Sequence, residues 1–386
     1  MARTTAFPGG VTEGQHQFSM IPRAEIPRSV FDRSCGLKTA FDAGYIVPVF
    51  VDEALPGDTM TMRARAFVRM TAPIVALMDN LYLDYFWFFV PNRLLWKDSG
   101  PGTGSWEKFC GEQTDPGDST DFEIPTVTQT PTVGSLYDHL GLVGKDYTVA
   151  VEASALWTRA YNLIFREWFR DENLVDSPVV DTDDGPDTST DYVLLRRGKR
   201  HDYFSSCLPF PQKGDPILLP LGDAAPLRTD VGTGNNLSVL DAGSAYKNLL
   251  SSTAELQLSA NAGVEANRLY ADLTAATSAT INEIREAFQV QRLLERDARG
   301  GSRYTEIVRS HFGVVSPDQR LQRPEYLGGG STRINVHPVA RTTSLVAGSA
   351  TPPVATLGAF ALAEGESGFM KSFTEHGVIM GLVNVR

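Results

Sequence analysis

Residues 44–51 read GYIVPVFV and residues 81–90 read LYLDYFWFFV, with LPGD at 55–58 and TMTMRARAFVRM at 59–70 between them. The first run is almost unbroken apolar and rich in β-branched and aromatic residues, as a strand buried on both faces requires. Pro48 lacks the N–H that a ladder uses, which places an edge or a bulge there. In LPGD, Pro56 fixes φ at the first central turn position and Gly57 permits positive φ at the second, so the chain reverses in a type II turn. Residues 59–70 then alternate: Met60, Met62, Ala64, Ala66, Val68 and Met70 share one face, and Thr59, Thr61, Arg63, Arg65 and Arg69 the other, the pattern of a half-buried strand. The third run sets Leu81, Leu83, Tyr85, Trp87 and Phe89 on one face and Tyr82, Phe86, Phe88 and Val90 on the other, with Asp84 its only polar residue. A strand apolar on both sides needs cover twice, from its own core and from a helix, a long loop or another subunit. The three strands read as the wall of a β-sandwich within residues 43–386.

The 386 residues carry 46 acidic and 35 basic side chains, a net charge of -11. That balance argues against an outer surface that neutralises a polyanion unaided, so a nucleic-acid role would be local or assisted. Cys35, Cys110 and Cys207 are scattered and form no CxxC spacing, which fits a reducing compartment better than a disulfide framework or zinc site. The first thirty residues hold no apolar signal-peptide segment, and no run reaches the length of a membrane span. Residues 1–42 read as a Pro-punctuated N-terminal arm carrying Arg3, Arg23, Arg28 and Arg33.

Residues 100–134, dense in Gly, Pro, Thr and Asp, read as a long loop. Glu152 to Asn173 reads as a helix whose stripe of Ala153, Leu156, Trp157, Ala160, Ile164 and Trp168 is widened by Tyr161, Phe165 and Phe169, making it a candidate cover for the third strand. Residues 221–280 are dominated by small and polar residues with weak periodicity and read as an exposed variable insertion. A second helix opens at Thr280, with Glu283 placed to complete a capping box. Ile281, Ile284, Phe288 and Leu294 mark its apolar side, and Arg292, Arg296, Arg299 and Arg303 gather near its end, suited to the helix dipole, a subunit contact or a polyanion. Residues 328–368 read as loop, with Gly328-Gly329-Gly330 a hinge, and Gly377 to Arg386 reads as a further strand.

Few motifs point to chemistry. The six histidines form no ligand pattern, and GxSxG, Walker and GxGxxG signatures are missing. No catalytic, cofactor or metal residues are assigned. DTDDGPDTSTD (181–191) is weighed as a calcium loop, but Gly185 does not occupy the sixth place of an EF-hand loop, and a solvated acidic loop is the favoured reading. RRGKRH (196–201), followed by Tyr203 and Phe204, has the basic and aromatic makeup of a single-stranded nucleic-acid platform. A surface face paired with the neighbouring acidic loop is the preferred reading there.

Eight segments together resemble the major capsid protein of the Microviridae, closest to the Gokushovirinae: 28–45, DEALPGD (52–58), MDNLYLDYFWFFVPNRLLW (78–96), RAYNLIFREWFRDENL (159–174), RGKRHDYFSSCLPFPQKG (197–214), 293–314, RLQRPEYLGG (320–329) and KSFTEHGVIMGLVNVR (371–386). The resemblance implies a mainly β protein with a single viral jelly roll, long loops and helix-containing insertions. It implies self-assembly in host cytoplasm into a T=1 icosahedral virion shell around single-stranded DNA. Implied partners are a small basic DNA-binding protein, other structural and scaffolding proteins, and a host receptor met through 221–280; arginines 3, 23, 28 and 33 would face DNA. Members continue beyond the segment matching Gly377 to Arg386, so the jelly roll is expected to be incomplete at its C-terminus, with open edges beside residues 45–51 or 81–90. The rival reading from another class is a carbohydrate-binding or carbohydrate-active jelly roll.

Overall fold

The computed structural model describes residues 29–71, 77, 79–111, 122–142, 149–198, 200–204, 206–218, 227–229, 237–251, 256–262, 269–272, 280–315, 322–340, 342 and 357–386. The chain divides after Thr39. Before that point, residues 29–39 run without helix or strand and are exposed.

The second part opens with β1 (Ile46–Ala54), β2 (Thr59–Arg69) and β3 (Leu81–Pro91), followed by the short helices α1 (Asn92–Leu95) and α2 (Trp106–Cys110). Then come β4 (Thr126–Gln129), α3 (Leu136–His139), β5 (Val151–Ser154) and α4 (Leu156–Ile164), which runs on as a π-helical turn over Phe165–Phe169. Two small sheets follow, built from β6 (Leu227–Thr229), β7 (Ser238–Leu240), β8 (Tyr246–Ser251), β9 (Leu256–Ala262) and β10 (Leu269–Ala271). Helices α5 (Ile281–Gly300) and α6 (Tyr304–Phe312) lead to three long strands, β11 (Glu325–Ala340), β12 (Leu357–Ser372) and β13 (Gly377–Val385).

The main sheet has the order β1-β13-β3-β11-β12-β2, antiparallel throughout. β1 and β2 are consecutive in the chain yet stand at opposite edges, so the sheet must curl until the LPGD turn can join them. Gly57 takes φ +87° in that turn, and Asp58 N donates to Leu55 O at 3.0 Å. The turn is tied to the β12–β13 connection by Gly57 N donating to Phe373 O at 2.6 Å and Phe373 N donating to Asp58 O at 2.8 Å. This curled antiparallel sheet is the jelly-roll-type, mainly β architecture expected. The register of β1 slips between Pro48 and Phe50, the bulge that Pro48 calls for.

β3 is buried on both faces. Inside the curl, Leu83 and Tyr85 pack with Ile334, Ala361, Ala363 and Val383, and Trp87 and Phe89 pack with Phe369, Phe373 and Ile379. The alternating apolar residues of β2 line the same interior. On the other face, Phe88 and Val90 join Leu156, Ala160, Tyr161 and Ile164 of α4, with Phe86 packed against them. Phe169 meets Phe86 edge-on at 5.0 Å and Phe88 at 5.8 Å. Each large apolar side chain so enclosed contributes roughly 1.5–3 kcal/mol relative to exposure.

Three expectations are corrected. The helix read from Glu152 begins only at Leu156, because Val151–Ser154 pairs with Thr126–Gln129 as β5, and its regular part ends at the π turn. Within the stretch read as loop, residues 328–340 and 357–368 are strand: β11 pairs with β3 through Gly328, Gly329 and Gly330, and β12 pairs with β2 through Gly365 and Gly368. These glycines are spacers and not hinges. A Cβ on Gly329 would overlap the Tyr85 carbonyl oxygen, one on Gly365 the Tyr85 hydroxyl, and one on Gly368 the Met62 carbonyl oxygen. Of the two places expected to carry an open edge, residues 81–90 are paired on either side by β13 and β11, and residues 45–51 hold β1, an edge strand of the main sheet. The free side of β1 is partly met by Ile46 N donating to Leu195 O and Arg197 N to Gly44 O, each at 2.9 Å.

Gly365→Ala is therefore expected to destabilise the chain by about 1–3 kcal/mol through overpacking. Adding Tyr85→Phe, which removes the hydroxyl that the new methyl meets, should recover part of the loss. Urea unfolding midpoints of the two variants check this; an unchanged midpoint for Gly365→Ala would defeat the spacer account.

Candidate nucleic-acid interface

Asp84 is the one polar residue of β3, and its side chain is 4% exposed. A carboxylate cannot stay charged there without partners, and four groups converge on it. Oδ2 accepts from Arg197 Nη1 at 2.8 Å and Arg386 Nε at 2.9 Å. Oδ1 accepts from Ser331 Oγ at 2.5 Å, with Arg200 Nη2 at 3.6 Å. Three guanidinium groups thus surround a single carboxylate. Burial first, then repulsion from Arg386, pushes Arg197 down to about 10, with Asp84 opposing the shift.

Two of these arginines lie on aromatic rings. Arg197 sits over Phe86 at 4.7 Å and Phe169 at 5.2 Å, and Arg200 over Tyr82 at 4.1 Å. Arg196 covers Tyr45 at 4.7 Å and donates to its hydroxyl at 2.9 Å. Farther along, Tyr203 and Phe204 are 88% and 86% exposed, their rings 5.6 Å apart. Local positive charge beside exposed aromatic faces suits a phosphodiester strand, by bidentate pairing to phosphate and stacking of bases.

Arg197 and Arg200 of the basic run therefore meet Asp84, where the sequence suggested the neighbouring acidic loop. That loop is not simply solvated either. Asp187 is buried in a two-point pair with Arg159 of α4 and accepts from the Tyr192 hydroxyl. Asp184 accepts from Gly104 N at 2.9 Å and Trp96 Nε1 at 2.8 Å. Arg159 also reaches the carbonyls of Leu95 at 3.0 Å and Asp183 at 2.8 Å. The acidic run is a clasp for one buried arginine, and no group of three or more metal-ligating side chains is assembled among the described residues.

Of the arm arginines expected to face DNA, Arg3, Arg23 and Arg28 lie outside the described residues, and Arg33 is exposed. Sequence reading passed over the roles of Asp84, Ser331 and Arg386. The signal was present: a lone carboxylate within an apolar strand demands a cation from elsewhere.

A curled jelly-roll-type sheet with both faces of its central strand covered, long insertions, and a basic-aromatic cluster on an acidic chain fit the structural protein that the capsid resemblance implies. Residues 19–386 match the family described as Capsid protein (F protein). The chain is 42% identical over 401 residues to capsid protein VP1 of Bdellovibrio phage phiMH2K, covering 98% of this chain and 72% of that protein. It is 35% identical over 443 residues to capsid protein VP1 of Chlamydia phage 1, covering 96% and 73%. For capsid protein VP1 of Spiroplasma virus 4 the identity is 34% over 410 residues, covering 96% and 71%. The chain belongs to the F-protein family of phage capsid proteins, as the Microviridae resemblance implied. Its role is structural, in a self-assembling virion shell. Nothing in these matches favours the carbohydrate reading, and no helix among the described residues is long and apolar enough to cross a membrane.

Asp84→Asn leaves the clustered arginines without their carboxylate and is expected to cost about 3–5 kcal/mol. Combining it with Arg197→Met should restore part of that stability. Thermal unfolding of both variants decides; equal melting temperatures for wild type and Asp84→Asn would show that the cluster is not coupled.

Proposed function

We propose that this capsid protein closes a T=1 icosahedral shell around a single-stranded DNA genome and carries no catalytic activity. The observation that carries the reading is the gathering of Arg197, Arg200 and Arg386 around one carboxylate, with Arg196 over Tyr45, on a chain of net charge -11. Charge surplus and stacking surface coincide there while the chain as a whole repels polyanions. DNA contact is thus local, and a separate small basic protein neutralises most of the genome. Arg3, Arg23, Arg28 and Arg33 of the arm add contacts to the same strand. Assembly takes place in the host cytoplasm with scaffolding and other structural proteins, and residues 221–280 present the surface that meets the host receptor.

Arg196→Ala with Tyr203→Ala leaves Asp84 paired and should weaken binding of an oligothymidylate to assembled shells by about tenfold, with a shallower salt dependence. Fluorescence anisotropy across a salt series measures both. Unchanged affinity and slope would remove this cluster from the DNA interface. Exchanging 221–280 between two related phages should carry host range with the segment; adsorption that stays with the rest of the shell would end the receptor assignment.

A further inference from the structure

Helix α5 bears a stripe that the chain leaves uncovered. At 3.6 residues per turn, Ile281, Arg285, Phe288, Arg292, Arg296 and Arg299 fall within a sector about 80° wide. Ile281 is 70% and Phe288 65% exposed, and the four arginines are exposed with them. The helix is held to the chain by a different side, where Gln291 bonds Gln212 and Lys213 N donates to Leu294 O at 3.3 Å. Between the end of α5 and α6 the stripe borders a groove of about 360 Å³ lined by Arg292, Glu295, Arg296, Arg299, Gly300 and Ser310, with Arg309 beside it. Its one acid, Glu295, accepts from Arg299 at 3.0 Å, and the neighbouring Glu306 accepts from Arg303 at 3.0 Å. Arg285, Arg292, Arg296 and Arg309 have no ion-pair partner among the described residues.

The matching chemistry lies on the same chain. After the π turn, Leu174, Val175 and Val179 are 63%, 47% and 48% exposed, and Asp176 is exposed among them with no ion-pair partner among the described residues. This segment is acidic and apolar where the α5 stripe is basic and apolar. Both are anchored to one place: Arg303, between α5 and α6, donates to the carbonyls of Arg166 and Arg170 at 2.9 Å each, and Arg170 donates to Val175 O at 3.1 Å. Two complementary patches held close together on one molecule suit an isologous two-fold contact, in which each copy's patch receives the other's.

We infer that the α5–α6 groove and its Arg-Phe stripe dock a second copy of this chain through its Leu174–Val179 segment, Asp176 entering the arginine groove. The inference rests on the shell-forming reading. Guanidinium groups with aromatic neighbours are favoured at the centre of protein contacts, where opposed charges set register.

The test uses the whole chain. Particle formation by the wild type, seen by electron microscopy, examines the shell reading alone; sedimentation of wild-type subunits before assembly examines the two-fold pair. Arg292→Glu with Arg296→Glu should lower both pairing and particle yield by at least about tenfold without changing the subunit's thermal unfolding, since both side chains are exposed. Adding Asp176→Arg should restore both. Undiminished pairing in the double variant, or loss that Asp176→Arg fails to restore, overturns the inference. So does normal particle yield with reduced DNA content, which would give the groove to nucleic acid instead.

Discussion

Everything in this fold is arranged around the burial of β3 on both faces. A strand carrying Leu83, Tyr85, Trp87 and Phe89 on one side and Phe86, Phe88 and Val90 on the other must be enclosed twice and hydrogen-bonded along both edges. The curl of the sheet brings β2 and β12 across the first side, α4 and its π turn lie on the second, and β13 and β11 fill the edges. The glycines of β11 and β12 belong to the same constraint. Residues without a side chain are what can stand beside the Tyr85 backbone and hydroxyl and still pair in register.

The buried strand also governs the electrostatics. Asp84 sits where water cannot solvate it, so it recruits cations from two remote parts of the chain, of which Arg197 and Arg200 also lie over aromatic rings. Arg159 and Asp187 solve the mirror problem, a buried cation answered by a carboxylate from a loop. An acidic chain that spends carboxylates on internal clasps of this kind retains arginine-rich surfaces at the Asp84 cluster and along α5. Those surfaces are where contacts with polyanions or with other copies carry most weight, because the rest of the molecule is acidic.

The two arginine-rich regions are built differently. The Asp84 cluster joins Asp84 of β3, Ser331 of β11 and Arg386 after β13 to Arg197 and Arg200 of a segment outside the sheet. Helices α5 and α6 are tied through Arg303 to the Arg166 and Arg170 carbonyls at the π turn, and α5 also to Gln212 and Lys213.

Much was legible in the residues alone. β1, β2, β3 and β13 follow from local apolar pattern, the reversal at 55–58 from the needs of Pro56 and Gly57, and the start of α5 from Thr280 and Glu283, whose reciprocal capping bonds are formed at 3.2 and 2.7 Å. Each depends on neighbours a few positions away, and such information is local. β11 and β12 were hidden because glycine contributes no hydrophobic signal, and their strand character comes from aromatic partners far off in the chain. The Asp84 cluster was hidden for a related reason: Arg197 lies 113 and Arg386 302 positions from it. Which cation answers a buried carboxylate is settled only when the sheet has closed and distance in space replaces distance in sequence.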